Sequence, residues 1–260
     1  MRRNCTGLTL RIMRNSTCLV ALLVITAVTA SHAQMAHRLK GWARTTTDTP
    51  IAGAKIRADN LSGFRGEQFV GQKDHETTST DKGEWNITGI EAGLWLFSTS
   101  APDTVPAVMV LPVKFSQRQQ VSAVGNSLTW QVPMYAYPAS EHPMLKVALD
   151  LLKDGKKDDA FQALTVALGP SIPIETRVAA GEISLLLRQA DLAKTIFHLA
   201  LQDQPKHPRA MLGAAMASLL GRDWETAGKQ IWDARDLAPK DQRQALAAAI
   251  DDLRGIARVQ

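Results

Sequence analysis

"TDKGEWNITGIEAGLWLFS", residues 80–98, decides how the first half of this chain is read. Asp81, Lys82 and Gly83 make a tight strand-to-strand turn, because Asp starts turns well and Gly accepts a left-handed backbone without a Cβ clash. Trp85 and Ile87 then alternate with Glu84, Asn86 and Thr88, the period of two expected of a strand with one buried face. After Gly93 come four apolar residues in a row, Leu94 to Phe97.

Similar short alternating runs, broken by Gly, Pro, Asp and Thr, extend outward to residues 36–137. Strands about ten residues apart with turn residues between them predict an antiparallel sandwich. Trp42, Trp85, Trp95 and Trp130 fall in this region, mainly as core. Residues 138–143 carry Pro138 and Pro143 and read as a short, stiff connector.

Beyond the connector, over 144–258, the pattern takes a helical period and repeats itself. Alanines 160, 193 and 227 are spaced by 33 and 34 residues, as are alanines 167, 200 and 234; Pro205 and Pro239 are 34 apart. A separation of seven puts each alanine pair on one helix face, where a neighbouring helix can approach closely. This pattern resembles the tetratricopeptide repeat, with three units over 141 to about 240 and "DQRQALAAAIDDLRGIAR" (241–258) as a capping helix. The turn glycine of that pattern matches Gly155 in the first unit; the second has Arg188 there, and the third has Gly221 one residue early.

The β region in turn resembles the carboxypeptidase regulatory-like domain. Gly41, Pro50, Gly53, Ala54 and Ile56 match its first motif; Asp81, Gly83, Trp85, Ile87, Ile90, Gly93 and Trp95 match its second. The two resemblances together imply a β + α multidomain chain: a prealbumin-like, seven-stranded antiparallel β-sandwich, then an α-helical solenoid. The sandwich module is an accessory fold without a catalytic centre.

The repeat register implies a concave binding face made of Lys146, Leu149 and Lys153, then Glu175, Val178 and Glu182, then Arg209, Leu212 and Met216. Mixed charges beside apolar anchors suit an extended or helical peptide of a protein partner; these charges equally serve to solvate the groove. In the sandwich frame Trp95 and Phe97 point inward, so Leu94 and Leu96 point outward, and Trp42 is outward by the same rule. Each such side chain gains roughly 1.5–3 kcal/mol on burial. Trp42, Leu94 and Leu96 are therefore expected to form a docking patch for the repeats or for a partner, unless a neighbouring strand covers them.

Composition narrows the function classes. The formal net charge is +5, but residues 1–33 contain Arg2, Arg3, Arg11 and Arg14 and no acidic residue. The rest holds 26 basic against 25 acidic side chains, so the electrostatic case for nucleic acid disappears. The leader has the parts of a secretory signal: Arg14, the apolar run Cys18–Ala30, and small Ser31 and Ala33 before Gln34. The run is shorter than the roughly 20 residues that span a bilayer, so no stable membrane insertion is expected after cleavage; Met13 begins a compact signal by itself. Cys5 and Cys18 both lie in the leader, so the remaining chain has no thiol or disulfide. A Cys-free exported chain points to a bacterial periplasm.

Catalytic motifs are absent from the sequence, and its histidines show no i, i+4 pairing of the kind a helical metal site uses. "KDHET" (73–77) clusters Asp74, His75 and Glu76, which reads as a solvated loop before it reads as a metal site. No catalytic residue, cofactor or metal is expected. The sequence thus points to an exported, non-catalytic protein-binding adaptor or assembly factor for a periplasmic enzyme or envelope complex. A carbohydrate-binding accessory module, with an exposed tryptophan as sugar platform, is the alternative. The client and the oligomeric state are not encoded in any motif.

Overall fold

The computed structural model describes residues 38–62, 74–90, 93–113, 130–237 and 243. The leader 1–33, the middle of the 61–76 loop and the capping helix other than Arg243 lie outside the described residues. The chain has sheets in its N-terminal part and helices in its C-terminal part.

Seven strands are described: β1 Arg38–Thr45, β2 Lys55–Ser62, β3 His75–Thr78, β4 Glu84–Thr88, β5 Gly93–Ser100, β6 Val108–Val113 and β7 Trp130–Ala136. They form a three-stranded sheet, β4-β1-β7, and a four-stranded sheet, β3-β2-β5-β6. The turn at 80–83 forms because Gly83 takes φ 74° and Thr80 accepts the Gly83 N–H. A side chain at Gly83 would strike the Ala43 carbonyl. Trp85 and Ile87 are buried while Glu84, Asn86 and Thr88 are exposed. Trp85 stacks on Phe97 of β5 at 6.2 Å between centroids, which joins the two sheets.

One expectation is corrected. β1 and β7 run parallel, Leu39 opposite Trp130 through Thr45 opposite Ala136, so the strands are not all antiparallel. These are the first and last strands, joined by the intervening chain and not by a hairpin, and only a hairpin enforces antiparallel pairing.

The helices are α1 Lys146–Lys153, α2 Lys157–Leu164, α3 Ile174–Leu186, α4 Ala190–Asp203, α5 Pro208–Leu220 and α6 Trp224–Arg235. They pack as successive pairs, and the starts of α3 and α5, like those of α4 and α6, are 34 residues apart. All six repeating alanines (160, 167, 193, 200, 227 and 234) are fully buried. Phe197 of α4 inserts between α3 and α5, where Gly181 and Gly213 leave room for its ring. The turn inside each pair takes the same left-handed backbone at Gly155, Arg188 and Arg222. In the third unit Arg222, and not the preceding Gly221, carries the strained position.

The connector is stitched down on both sides. Val105 N–H donates to the Tyr137 carbonyl, Ala139 N–H to that of Asp103, and the buried His142 ring meets the Thr176 hydroxyl of α3 at 2.9 Å. Strand β6 packs on α3 and α5, so sheets and repeats share one core.

Candidate functional site: a cleft between the sheets and the repeat helices

Helix α5 meets the edges of both sheets. β6 is an edge strand whose Val110 N–H, unused by β5, donates to the Met216 thioether at 3.1 Å. β7 is the edge of the other sheet, and its Tyr135 carbonyl accepts from Arg209 Nη2 at 2.5 Å. Arg209 and Met216 lie seven residues apart on one face of α5. An edge strand left open is a template for further pairing, and a covering helix is one way to close it.

Arg209 is also the centre of a buried polar cluster. Its guanidinium grips both Glu182 oxygens, at 2.5 and 2.7 Å, and lies 3.9 Å from the Tyr137 ring centroid. Burial pushes the Glu182 carboxyl up and Arg209 opposes that shift. Burial also works against the Arg209 charge, but Glu182 more than restores it and holds the guanidinium protonated. The Tyr137 hydroxyl donates to Glu175 at 2.5 Å; its burial, opposed by Arg209, raises the phenol far above its ordinary range. His207 Nδ1 accepts the Ala210 N–H as the N-cap of α5. In the neutral ring Nε2 therefore carries the proton and donates to Glu175 at 3.0 Å. That bond, acting against burial and helped by the one from Tyr137, holds the Glu175 carboxyl down at about 2.

Beside this cluster opens a cleft of about 1060 Å³. Met109, Met134, Leu212 and Met216 line it with apolar, buried surface. Trp42, Tyr135, Asp48, Glu141 and Glu175 contribute partly or fully exposed side chains to it. Trp42 carries the Arg44 guanidinium 5.6 Å from its ring centroid, and its buried Nε1 has no hydrogen-bond partner among the described residues. Among the described residues the lining of the cleft holds carboxylates, guanidinium groups, a histidine, thioethers and the hydroxyls of Thr46, Tyr135 and Tyr137, but no cysteine, serine or lysine.

The nine residues of the expected concave face divide. Val178, Glu182, Leu212 and Met216 are buried, and Arg209 and Met216 are engaged by this chain's own strands. Glu175, Glu182, Arg209, Leu212 and Met216 line the cleft. Lys146 and Lys153 are exposed on α1, where Lys146 pairs with Asp150 at 2.6 Å, and Leu149 is buried. The face is therefore not one open groove.

The expected docking patch is also divided. Leu94 and Leu96 are buried within the chain, so they offer no surface to a partner. Leu96 stands opposite Asp59 and Val110; Asp59 reaches Arg188 at the end of α3 at 3.6 Å and Val110 meets α5, so this face of the sheet is turned to the helices. Trp42 belongs to the other sheet and lines the cleft. The alternation that turns all three outward turns them outward from different sheets, which is why they make no single patch.

Of the "KDHET" cluster, Asp74 accepts from Arg57 and from the Asn60 amide at 3.1 Å each. Among the described residues no group of acidic or histidine side chains could hold a metal ion, and no helix is long and apolar enough to cross a membrane. Tyr135, Tyr137, Arg44 and His207 are site residues that the sequence patterns did not single out. For α5 a signal existed: "AMLGAAMASLL" (210–220) has no polar face, as befits a helix covered on both sides.

No family model and no curated protein matches this chain. Solved structures resemble parts of it. PcrH from Pseudomonas aeruginosa is 18% identical over 46% of this chain and 92% of its own, with a TM-score of 0.36. The Yersinia enterocolitica type III secretion translocator chaperone SycD is 17% identical over 45% and 84%, at 0.38. The 3-chlorocatechol 1,2-dioxygenase of Rhodococcus opacus 1CP is 5% identical over 42% and 62%, at 0.32. At these TM-scores the likenesses set neither the fold nor the function of this chain.

Proposed function

We propose that this chain is an exported, non-catalytic protein-binding adaptor or assembly factor that works in a bacterial periplasm and takes its partner in the cleft between sheets and repeats. The observation that carries this reading is the cleft itself: a methionine-lined floor with charged edges. Thioether floors adapt to different apolar side chains, and repeat arrays present extended surfaces to other proteins. The paired helices with their 34-residue period support a tetratricopeptide-like array. The three- and four-stranded sheets joined by the Trp85–Phe97 stack support a prealbumin-like sandwich. Export rests on the leader at 1–33.

Trp42 favours a sugar site, but Arg44 lies over its ring, and among the described residues no Asn or Gln side chain lines the cleft. The test is capture with the tagged chain from the periplasmic fraction, followed by titration of the purified captured protein. A saturable complex, with the exported chain starting at Gln34, is expected. Absence of any protein that binds again once purified would end the adaptor reading.

A further inference from the structure

We infer that the junction between the sheets and the repeats is an acid-sensitive latch: the neutral His142 imidazole holds the connector on α3, and protonation releases it. The latch does not depend on what the cleft binds.

His142 stands between two short 3-10 turns, Ala139–Glu141 and Pro143–Leu145, with φ −125° and ψ 57°, so the connector bends at this residue. Its side chain is buried, and Nδ1 meets the Thr176 hydroxyl of α3 at 2.9 Å. The Tyr137 ring lies nearly perpendicular to the imidazole, at 4.9 Å between centroids. One imidazole therefore touches both flanks of the junction, the end of the sheets and the first turn of α3. Its Nε2 is buried as well and has no hydrogen-bond partner among the described residues. A neutral ring can keep its one proton on Nδ1, donate it to Thr176 and leave Nε2 a bare acceptor. A second proton makes Nε2 a charged donor that faces no acceptor, and a buried charge without a partner is costly.

The charged groups around the ring do not supply that acceptor. Among the described residues, those acting on it are Glu141 of the connector, Glu175 of α3 and Arg209 of α5. Glu141 is exposed; Glu175 is held by Tyr137 and by His207 at the start of α5, and Arg209 is bound to Glu182. Burial pushes His142 below the ordinary 6.5; the carboxylates of Glu141 and Glu175 act against that shift and Arg209 acts with it. A released ring thus takes up the proton before a latched one does. The neutral contact stabilises the junction fully above about pH 6.5 and loses ground as pH falls below it. On its other side the connector stays on the sheets, through the Val105–Tyr137 and Ala139–Asp103 backbone bonds, so the opening is local to the bend.

The test is NMR on the full chain with isotope-labelled amides and histidine rings. The His142 ring, recognised by its contact with Tyr137, should titrate below the ordinary 6.5. The amides of His142 and Leu145 bond to the Ala139 and His142 carbonyls, across the bend. Between about pH 7.5 and 5, their protection from hydrogen exchange should fall about tenfold more than that of the Phe197 amide in α4. His142→Asn keeps a hydrogen-bonding group that cannot charge, and should abolish this local fall. A ring that titrates at or above 6.5, or protection at 142 and 145 that falls no more than at Phe197, overturns the latch. The same local fall in His142→Asn overturns it too and assigns the acid response to another group, such as Glu182, which burial also drives toward protonation. If the variant does not fold, the ring titration and the protection ratio of the unaltered chain decide.

Discussion

The first repeat unit and the two that follow place matching residues in opposite surroundings. On α1, Lys146 and Lys153 stand in solvent. On α3 and α5, Val178, Glu182, Leu212 and Met216 are buried and Arg209 is largely so. The repeat register alone treats these positions as equivalent. They differ because the chain supplies its own extended ligand, strands β6 and β7, to the second and third units. A residue's place in a repeat therefore fixes which way it points, and the tertiary neighbour fixes whether it is surface or core.

The sharpest way to break that comparison is charge removal at one position of each kind. Arg209→Ala strands the Glu182 carboxylate in the core and uncaps the Tyr135 carbonyl, so urea unfolding should show a loss of about 3–5 kcal/mol. Lys153→Ala should stay within about 0.5 kcal/mol. Glu182→Leu combined with Arg209→Met should recover much of the loss, since an apolar pair of similar volume replaces a buried ion pair at little cost. Similar losses for Arg209→Ala and Lys153→Ala would show that α5 is not covered as described.

Leu96 tests the other side of the interface. It is fully buried on a face that alternation turns away from Trp95 and Phe97. Leu96→Ala should cost about 3 kcal/mol, measured by the same denaturation. A cost below about 1 kcal/mol would mean that the helices do not cover this face. Gly213→Ala probes the packing behind it: a methyl group there overlaps the Phe197 ring, for an expected loss of about 2 kcal/mol. Phe197→Leu in the same chain should return part of it; additive losses would count against the overlap.

A smaller effect is a pH dependence confined to the cluster. The Glu175 carboxyl has a folded pKa of about 2 against an ordinary 4.5. Its contribution is therefore fully present above pH 4.5 and is lost as pH falls toward 2, because the unfolded chain takes up the proton first. Thermal unfolding followed across that window should lose part of its slope in Glu175→Gln. An unchanged slope would assign the acid sensitivity to other carboxylates. Half of the Glu175 side chain is exposed, so solvent screening keeps the effect modest.

How much of this was legible in the sequence differs by element. The 34-residue spacing located the helix pairs because helix period and small-residue packing are local constraints, and all six alanines are buried. The turn at Gly83 and the alternation of β4 were legible for the same reason. The parallel pairing of β1 with β7 was not, since it joins residues some ninety positions apart. The cleft was hidden for a related reason: Trp42, Met109, Met134, Tyr137 and Arg209 come from four separate segments, and only tertiary packing makes them neighbours. The burial of Glu182 was hidden because a glutamate on a helix normally signals a solvated face, and only Arg209 makes its burial tolerable.

The least effect, and an opposite sign, is expected at the turns. Arg188 and Arg222 hold φ near +60°, a conformation that costs a residue with a Cβ about 1–2 kcal/mol. Glycine relieves that strain but loses more chain entropy on folding, so Arg222→Gly should stabilise by about 0.5–1 kcal/mol. At position 188 the same change also removes the contact with Asp59 at 3.6 Å, a pair whose guanidinium side is solvent-screened and so of small worth, so the gain there should be smaller. Both turns belong to the repeats, and Arg188 pairs with Asp59 of β2. A smaller gain at 188 than at 222 is what the shared interface predicts; equal gains would show that the Asp59 contact contributes nothing and that the second unit's turn, unlike its concave face, behaves as free surface.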